Sequence, residues 1–185
     1  LHSFPTRRSS DLLSCTRAVG AGVLDLLGPR EVFDAECARV VFQVNEILSR
    51  GRPRVLVLAL ETVLTGVRAS IEDMERASGQ SGQQASTLLT IRFGILARLV
   101  ADMIGPESCA GFYLTGGDVM INSCLTLGAK GITLVDYVIP QIDQGRISGG
   151  PYDGVPIVCK GGLTGSTDTA VLSVNRLFDE RKISQ

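Results

Sequence analysis

The stretch Gly111–Asn122, GFYLTGGDVMIN, decides how the chain is read. Its apolar half has the length and content of a buried strand, and the residues from Asp118 onward repeat at helical spacing. Two glycines, Gly116 and Gly117, stand at the change of period. The first amides of a helix have no internal acceptor and the helix dipole is positive there, so an anion is welcome at such a junction. Glycines also permit positive φ and let a phosphate approach the backbone with no Cβ in the way. Taken alone, the same residues are more simply read as a tight turn with Asp118 as the N-cap of the helix.

A second junction of this kind follows at Val158–Gly165, VCKGGLTG. It is not a P-loop, because Lys160 precedes its glycines and no Gly-Lys-Ser/Thr follows. Its successive N–H groups can still form an anion-binding concavity with Lys160 as a countercharge. The plainer alternative is a turn, with Ser166 or Thr167 capping the last helix. Gly20-Ala-Gly22 opens like a dinucleotide fingerprint, but Asp25 stands where the third glycine belongs and no clear strand is read before it. The segment Ser14–Arg30 gives no firm assignment.

Working outward, apolar residues from Phe33 to Ser49 recur at helical spacing, and Gly51 and Pro53 end that helix. Arg54–Leu60 reads as a fully buried strand of the kind found in parallel sheets. Glu61–Ser81 is polar, with Ser78–Gly82 a flexible loop. A helix is predicted over Gln83–Ile104, with Arg98 and Asp102 able to pair on its outer face. Ala110–Thr115 is the next strand and Asp118–Leu127 the next helix. Gly131–Ile139 and Val155–Lys160 read as strands, Arg146–Gly150 as turn, and about Thr167–Glu180 as the last helix. The alternation argues an α/β layered fold with a mainly parallel sheet flanked by helices.

The 185 residues suit one domain. A formal charge of −1 gives no reason to expect a nucleic-acid or acidic-membrane partner. The longest apolar run, Val55–Leu60, is far short of the roughly 20 residues of a membrane span. The five cysteines are odd in number, widely spread and lack a Cys-x-x-Cys pair, which points to free thiols in the cytoplasm and to no metal site.

The opening residues 1–12, LHSFPTRRSSDL, match the translation of a common sequencing-library adaptor at every position and are set aside as a scar. Without Arg7, Arg8 and Asp11 the charge becomes −2. The only histidine, His2, is in that segment, so histidine triads and histidine metal sites are not expected. A chain that starts at an adaptor is expected to be part of a longer one, with 13–185 its nucleotide-binding domain.

From Phe33 onward, four motifs agree in order and spacing with one family. They are Gly116-Gly-Asp118 after a strand, Leu127-Gly-Ala-Lys-Gly-Ile132, Pro140 through Gly145-Arg-Ile-Ser-Gly-Gly150, and Val155-Pro-Ile-Val-Cys-Lys-Gly-Gly-Leu-Thr-Gly165. Over about 150 residues the chain resembles the C-terminal nucleotide-binding domain of the four-carbon acid sugar kinases. The resemblance implies ATP-dependent phosphorylation of a hydroxyl on an erythronate- or threonate-type acid, with ATP and Mg²⁺ as cofactors. It assigns ATP contacts to Gly116, Gly117, Asp118 and Val119 and to Gly162 and Gly165; Lys160 joins them as the countercharge. The catalytic base is not identified. The sugar acid would bind through an N-terminal domain that these residues do not contain, and a homo-oligomer is compatible with the reading.

The chain also departs from the family. Val119 stands where many members have threonine, Pro140-Gln141 replaces a proline-glycine pair, and the serine-bearing segment that opens the family's domain is not recognised near Ser14. The alternative is a non-catalytic ligand-sensing or assembly domain that kept the fold and lost nucleotide.

Overall fold

Helix and strand do alternate in the computed structural model of the chain, which describes residues 12, 14–162 and 164–183. Of the segment read as adaptor only Leu12 falls among them, so that reading, and His2 with it, lies outside the described residues. Where length suggested one domain, the chain divides into two compact units, Cys15–Met103 and a second containing Ile104–Gln185.

In the first unit β1 (Thr16–Ala21) and β2 (Val55–Leu60) form a two-stranded parallel sheet, with Thr16 opposite Val55 and Ala21 opposite Leu60. Two helices, α1 (Val23–Leu27) and α2 (Arg30–Ser49), connect them. Helix α2 buries Phe33, Glu36, Cys37, Val40 and Val44, a single stripe at three- and four-residue spacing. Arg92 closes the end of α1: Nη1 donates to the carbonyls of Leu26 (2.7 Å) and Gly28 (2.6 Å), and its guanidinium lies 4.8 Å from the centre of the Phe33 ring.

Two expectations change here. The residues of β2 are half-buried, not fully buried, because among the described residues the strand has one neighbour only. The polar stretch after it contains two helices, α3 (Glu61–Thr65) and α4 (Ile71–Ser78). Ser70 caps α4 by accepting the Asp73 N–H at 3.1 Å, and Gly66 and Gly79 end the two helices in left-handed conformation. The long helix α5 (Gly82–Ile104) buries Ala85, Leu89, Phe93, Leu96 and Val100, and its half-buried Arg98 pairs with Asp102 at 2.7 Å.

The second unit carries β3 (Phe112–Thr115), α6 (Gly117–Thr126), β4 (Gly131–Ile139), β5 (Ile142–Ser148), β6 (Pro156–Lys160) and α7 (Thr169–Ile183). The sheet runs in the order β3-β6-β5-β4. Only β3 and β6 are parallel; β6–β5 and β5–β4 are antiparallel. The fold is α/β as expected, but this sheet is mixed rather than mainly parallel. The cause is local: Pro140 and Gln141 join β4 to β5 in two residues, with Gln141 at φ 70°, and so short a link can only make a hairpin.

The stretch expected to be turn, Arg146–Gly150, therefore begins as β5 and turns only at its two glycines. Gly145 lets β4 and β5 close up, since a Cβ there would lie 2.6 Å from the Thr133 carbonyl oxygen. One core cluster of the unit is Ile142, Val158 and Leu177, flanked by Tyr113, Val138 and Ile139, and Leu127, Ile147, Tyr152 and Ile157 are also buried. Phe112 meets the fully buried Tyr152 edge-on at 5.5 Å.

Candidate nucleotide site

The two glycine junctions leave the same end of one sheet. Strands β3 and β6 are parallel neighbours, with Thr115 opposite Lys160, so both loops start at the carboxyl ends of adjacent strands. The Gly116 N–H donates to the Lys160 carbonyl at 3.1 Å, which joins the first residue of one loop to the last strand residue of the other. Open α/β sheets take ligands at this end of their strands.

Gly116 has φ 94° and ψ 124° and offers no side-chain cap; the helix itself starts at Gly117. Its first internal bond runs from the Met120 N–H to the Gly116 carbonyl at 2.9 Å. The amides of Gly117, Asp118 and Val119 precede that bond and have no acceptor within the helix. Asp118 is not the N-cap that the plain reading made it: it lies in the first turn with its carboxylate exposed. Val119 is half-buried, and a Cβ at Gly116 would sit 3.9 Å from its side chain. Nothing would lie within 4 Å of a Cβ at Gly117 or Gly162.

In the second loop Lys160 turns back on its own chain. Its Nζ donates to the carbonyls of Gly161 (3.0 Å) and Gly162 (3.3 Å). The Gly161 carbonyl also accepts from the Thr164 hydroxyl at 3.0 Å. A carbonyl so held fixes its peptide plane, and in a trans peptide the N–H of Gly162 then points the opposite way. Lys160 thus braces the loop in this structure instead of standing free as a countercharge. Leu163 lies outside the described residues. Gly165, at φ 86°, leaves no room for a Cβ against Thr169. The entry to α7 is held by Thr169, whose Oγ1 accepts the Ser166 N–H at 2.7 Å.

Burial pushes the Cys159 thiol up to about 12 and raises those of Cys124 and Cys37, so none of the three is a ready nucleophile. Among the described residues no cluster of three or more histidine, cysteine or acidic side chains could hold a metal. Mg²⁺ commonly binds through one or two carboxylates together with substrate phosphates rather than through such a cluster, and Asp118 is an exposed carboxylate in the first turn of α6.

A strand does stand at the third glycine pair, contrary to the sequence reading: Gly20 lies within β1 and Gly22 follows its last residue, Ala21. Its anion position is filled from within. The carboxylate of Glu36, only 4% exposed, accepts the Gly22 N–H at 2.7 Å and is clamped by Arg39 at 2.6 Å. A neighbouring depression of about 420 Å³ is lined by Asp25, Glu31 and Glu36 and by one cation, Arg39, which is already paired with Glu36, so the balance of charge disfavours a phosphate there.

Two glycine loops that adjoin at the carboxyl ends of neighbouring parallel strands form an arrangement suited to an anionic ligand, and comparison with known proteins gives the family. Residues 12–170 match the nucleotide-binding C-terminal domain family. The chain belongs to that family, and its relatives place it with the four-carbon acid sugar kinases. It is 42% identical over 98 residues to the D-erythronate kinase of Heliobacterium modesticaldum, covering 53% of this chain and 22% of that protein. It is 30% identical over 167 residues to the D-threonate kinase of Salmonella typhimurium, covering 89% of this chain and 38% of that protein. The chain therefore spans well under half the length of these relatives. Its fold also matches a Bordetella bronchiseptica domain of unknown function, crystallised with citrate as a domain-swapped dimer, with a TM-score of 0.63 at 24% identity over 92% of this chain and 37% of that one. No helix among the described residues is long and apolar enough to cross a membrane.

Proposed function

We propose that this chain is the ATP-binding part of a kinase that phosphorylates a hydroxyl of a four-carbon sugar acid of the erythronate or threonate type. The observation that carries the reading is the adjacency of the two loops, fixed by the parallel pairing of β3 with β6 and by the Gly116–Lys160 bond. Neighbouring strands stand about 4.8 Å apart, so one polyphosphate can lie across both loops.

In this reading the amides of Gly117, Asp118 and Val119 receive phosphate oxygens at the start of α6, and Gly162 and Gly165 shape the facing loop. Lys160 holds the Gly161 and Gly162 carbonyls away from the phosphates and adds positive charge nearby. Phosphoryl transfer asks a protein mainly for positioning and charge stabilisation, which backbone amides can supply. Asp118 would hold Mg²⁺, whose contribution is to neutralise charge on the phosphates. The sugar acid and the base that accepts its proton belong to the part of the relatives that this chain does not cover, so the chain alone would bind ATP without turnover.

Titration calorimetry with Mg²⁺–ATP tests this, with saturable heat expected and none from the sugar acid alone. No heat above dilution would overturn the reading. The second reading, a domain that senses a small acid without nucleotide, draws on the apolar side chain of Val119; saturable heat from the acid and none from ATP would establish it instead.

A further inference from the structure

One motif of the sequence, Gly145-Arg-Ile-Ser-Gly-Gly150, is not used by the nucleotide loops, and neither is the polar cluster it enters. Arg176 lies seven residues into α7, about 10 Å along the axis from Thr169 at 1.5 Å per residue. Its Nε donates to Oε1 of Gln144 on β5 at 2.6 Å, and its Nη2 donates to Oδ2 of Asp136 on β4 at 3.0 Å. One turn later Glu180 accepts from Nη2 of Arg146 on β5 at 3.0 Å and lies 3.6 Å from Arg176. Arg146 is itself seated on the Gly154 carbonyl at 3.1 Å.

Such a cluster controls something that apolar packing does not. Leu177 fixes how closely α7 approaches the sheet, but apolar contacts tolerate sliding along the helix axis, whereas directed and charge-assisted hydrogen bonds do not. Gln144 is 1% exposed, so Arg176 is both its partner and its solvent substitute. Gln144 stands opposite Val158 and Arg146 opposite Pro156, on the strand whose far end is Lys160. The helix is therefore registered against β5, the strand paired with the one that feeds the second glycine loop.

We propose that Arg176, seated on Gln144 and Asp136 and backed by Glu180, is a positioning residue that sets where α7 stands along the sheet and so holds Thr164, Gly165 and Ser166, which lead into it, in place. For its effect on nucleotide this rests on the function proposed above; its effect on the loop does not. The test is the double variant Arg176→Met with Gln144→Leu, in the full chain. Removing both partners leaves no orphaned buried group, so the fold should persist. Hydrogen exchange at 164–170 should speed up at least tenfold while amides of β3 and α6 keep their protection. ATP affinity should fall about tenfold while adenosine affinity is unchanged, since only phosphates depend on the loop. Asp136→Asn, at a half-exposed position, should give a smaller change in the same direction and serves if the double variant does not fold. Unchanged exchange at 164–170 in the folded variants would overturn the proposal. If the wild-type chain bound no ATP, the functional reading would fall, while faster loop exchange would still uphold the latch.

Discussion

Gly117 separates binding from folding, and replacing it with leucine is the most informative single change. It is the first residue of α6, it does not have positive φ, and a Cβ there would meet nothing within 4 Å. The substitution therefore costs the folded state no strain. Replacing glycine within a helix contributes roughly 0.5–1 kcal/mol, which in a chain of this size raises Tm by about 2–4 °C at most. The same empty space is where a phosphate must come to reach the first amides, so four added carbons would exclude it. ATP affinity should fall at least tenfold, about 1.4 kcal/mol, with Gly117→Ala between leucine and wild type. Gly116 could not make this separation, because at φ 94° any side chain carries backbone strain of about 1–3 kcal/mol. Thermal unfolding and Mg²⁺–ATP calorimetry on the same preparations give both numbers. A leucine variant that folds normally and binds ATP as tightly as wild type would show that no phosphate rests on this turn.

Two further outcomes follow from the structure. Gly150→Ala should cost about 3 kcal/mol in urea unfolding, combining left-handed strain with overpacking, because Gly150 has φ 73° and its Cβ would stand 2.5 Å from the Gly128 carbonyl oxygen; a loss under about 0.5 kcal/mol would refute the close packing of these two glycines. Burial raises the Cys159 thiol from its ordinary 9.0 to about 12, so the protonated form is favoured on folding. That contribution is complete below pH 9 and is lost as pH rises from 9 toward 12. The stability difference between wild type and Cys159→Ala should accordingly shift against the wild type between pH 8 and 10, and a constant difference would show the thiol to be solvated.

Strand-to-helix junctions were legible in the sequence because glycine pairs coincide with a change of hydrophobic period, as at Gly116-Gly117 and Gly161-Gly162. Elements that escaped did so for stated physical reasons. Strand β5 was hidden because its buried positions include Gln144 and Gly145, one satisfied by Arg176 and the other required by the Thr133 backbone, so no apolar alternation marks it. Helix α4 was hidden because its stability is terminal, from the Ser70 cap and the left-handed Gly79, rather than from a buried face. The parallel character of the sheet was overread because buried strands look alike in either direction, and only the two-residue link at Pro140-Gln141 carries the distinction. The role of Lys160 was beyond sequence reading, since residue type specifies a cation but not whether its ammonium faces ligand or its own loop.

The three glycine junctions show why the motif alone could not identify the site. Each ends a strand, and two begin helices whose sequences would suit an anion equally well. What separates them is whether the protein already supplies the negative charge. At Gly22 the buried Glu36 carboxylate occupies the position and Arg39 neutralises it, so a phosphate would have to displace a charge that has no better place to go. At Gly117 no carboxylate among the described residues fills the position: Asp118 is exposed in the first turn. The second glycine loop begins one strand away, its carbonyls turned toward Lys160. A site for an anion is thus defined by amides that lack an internal partner, and the distinction rests on one glutamate fourteen residues downstream of Gly22.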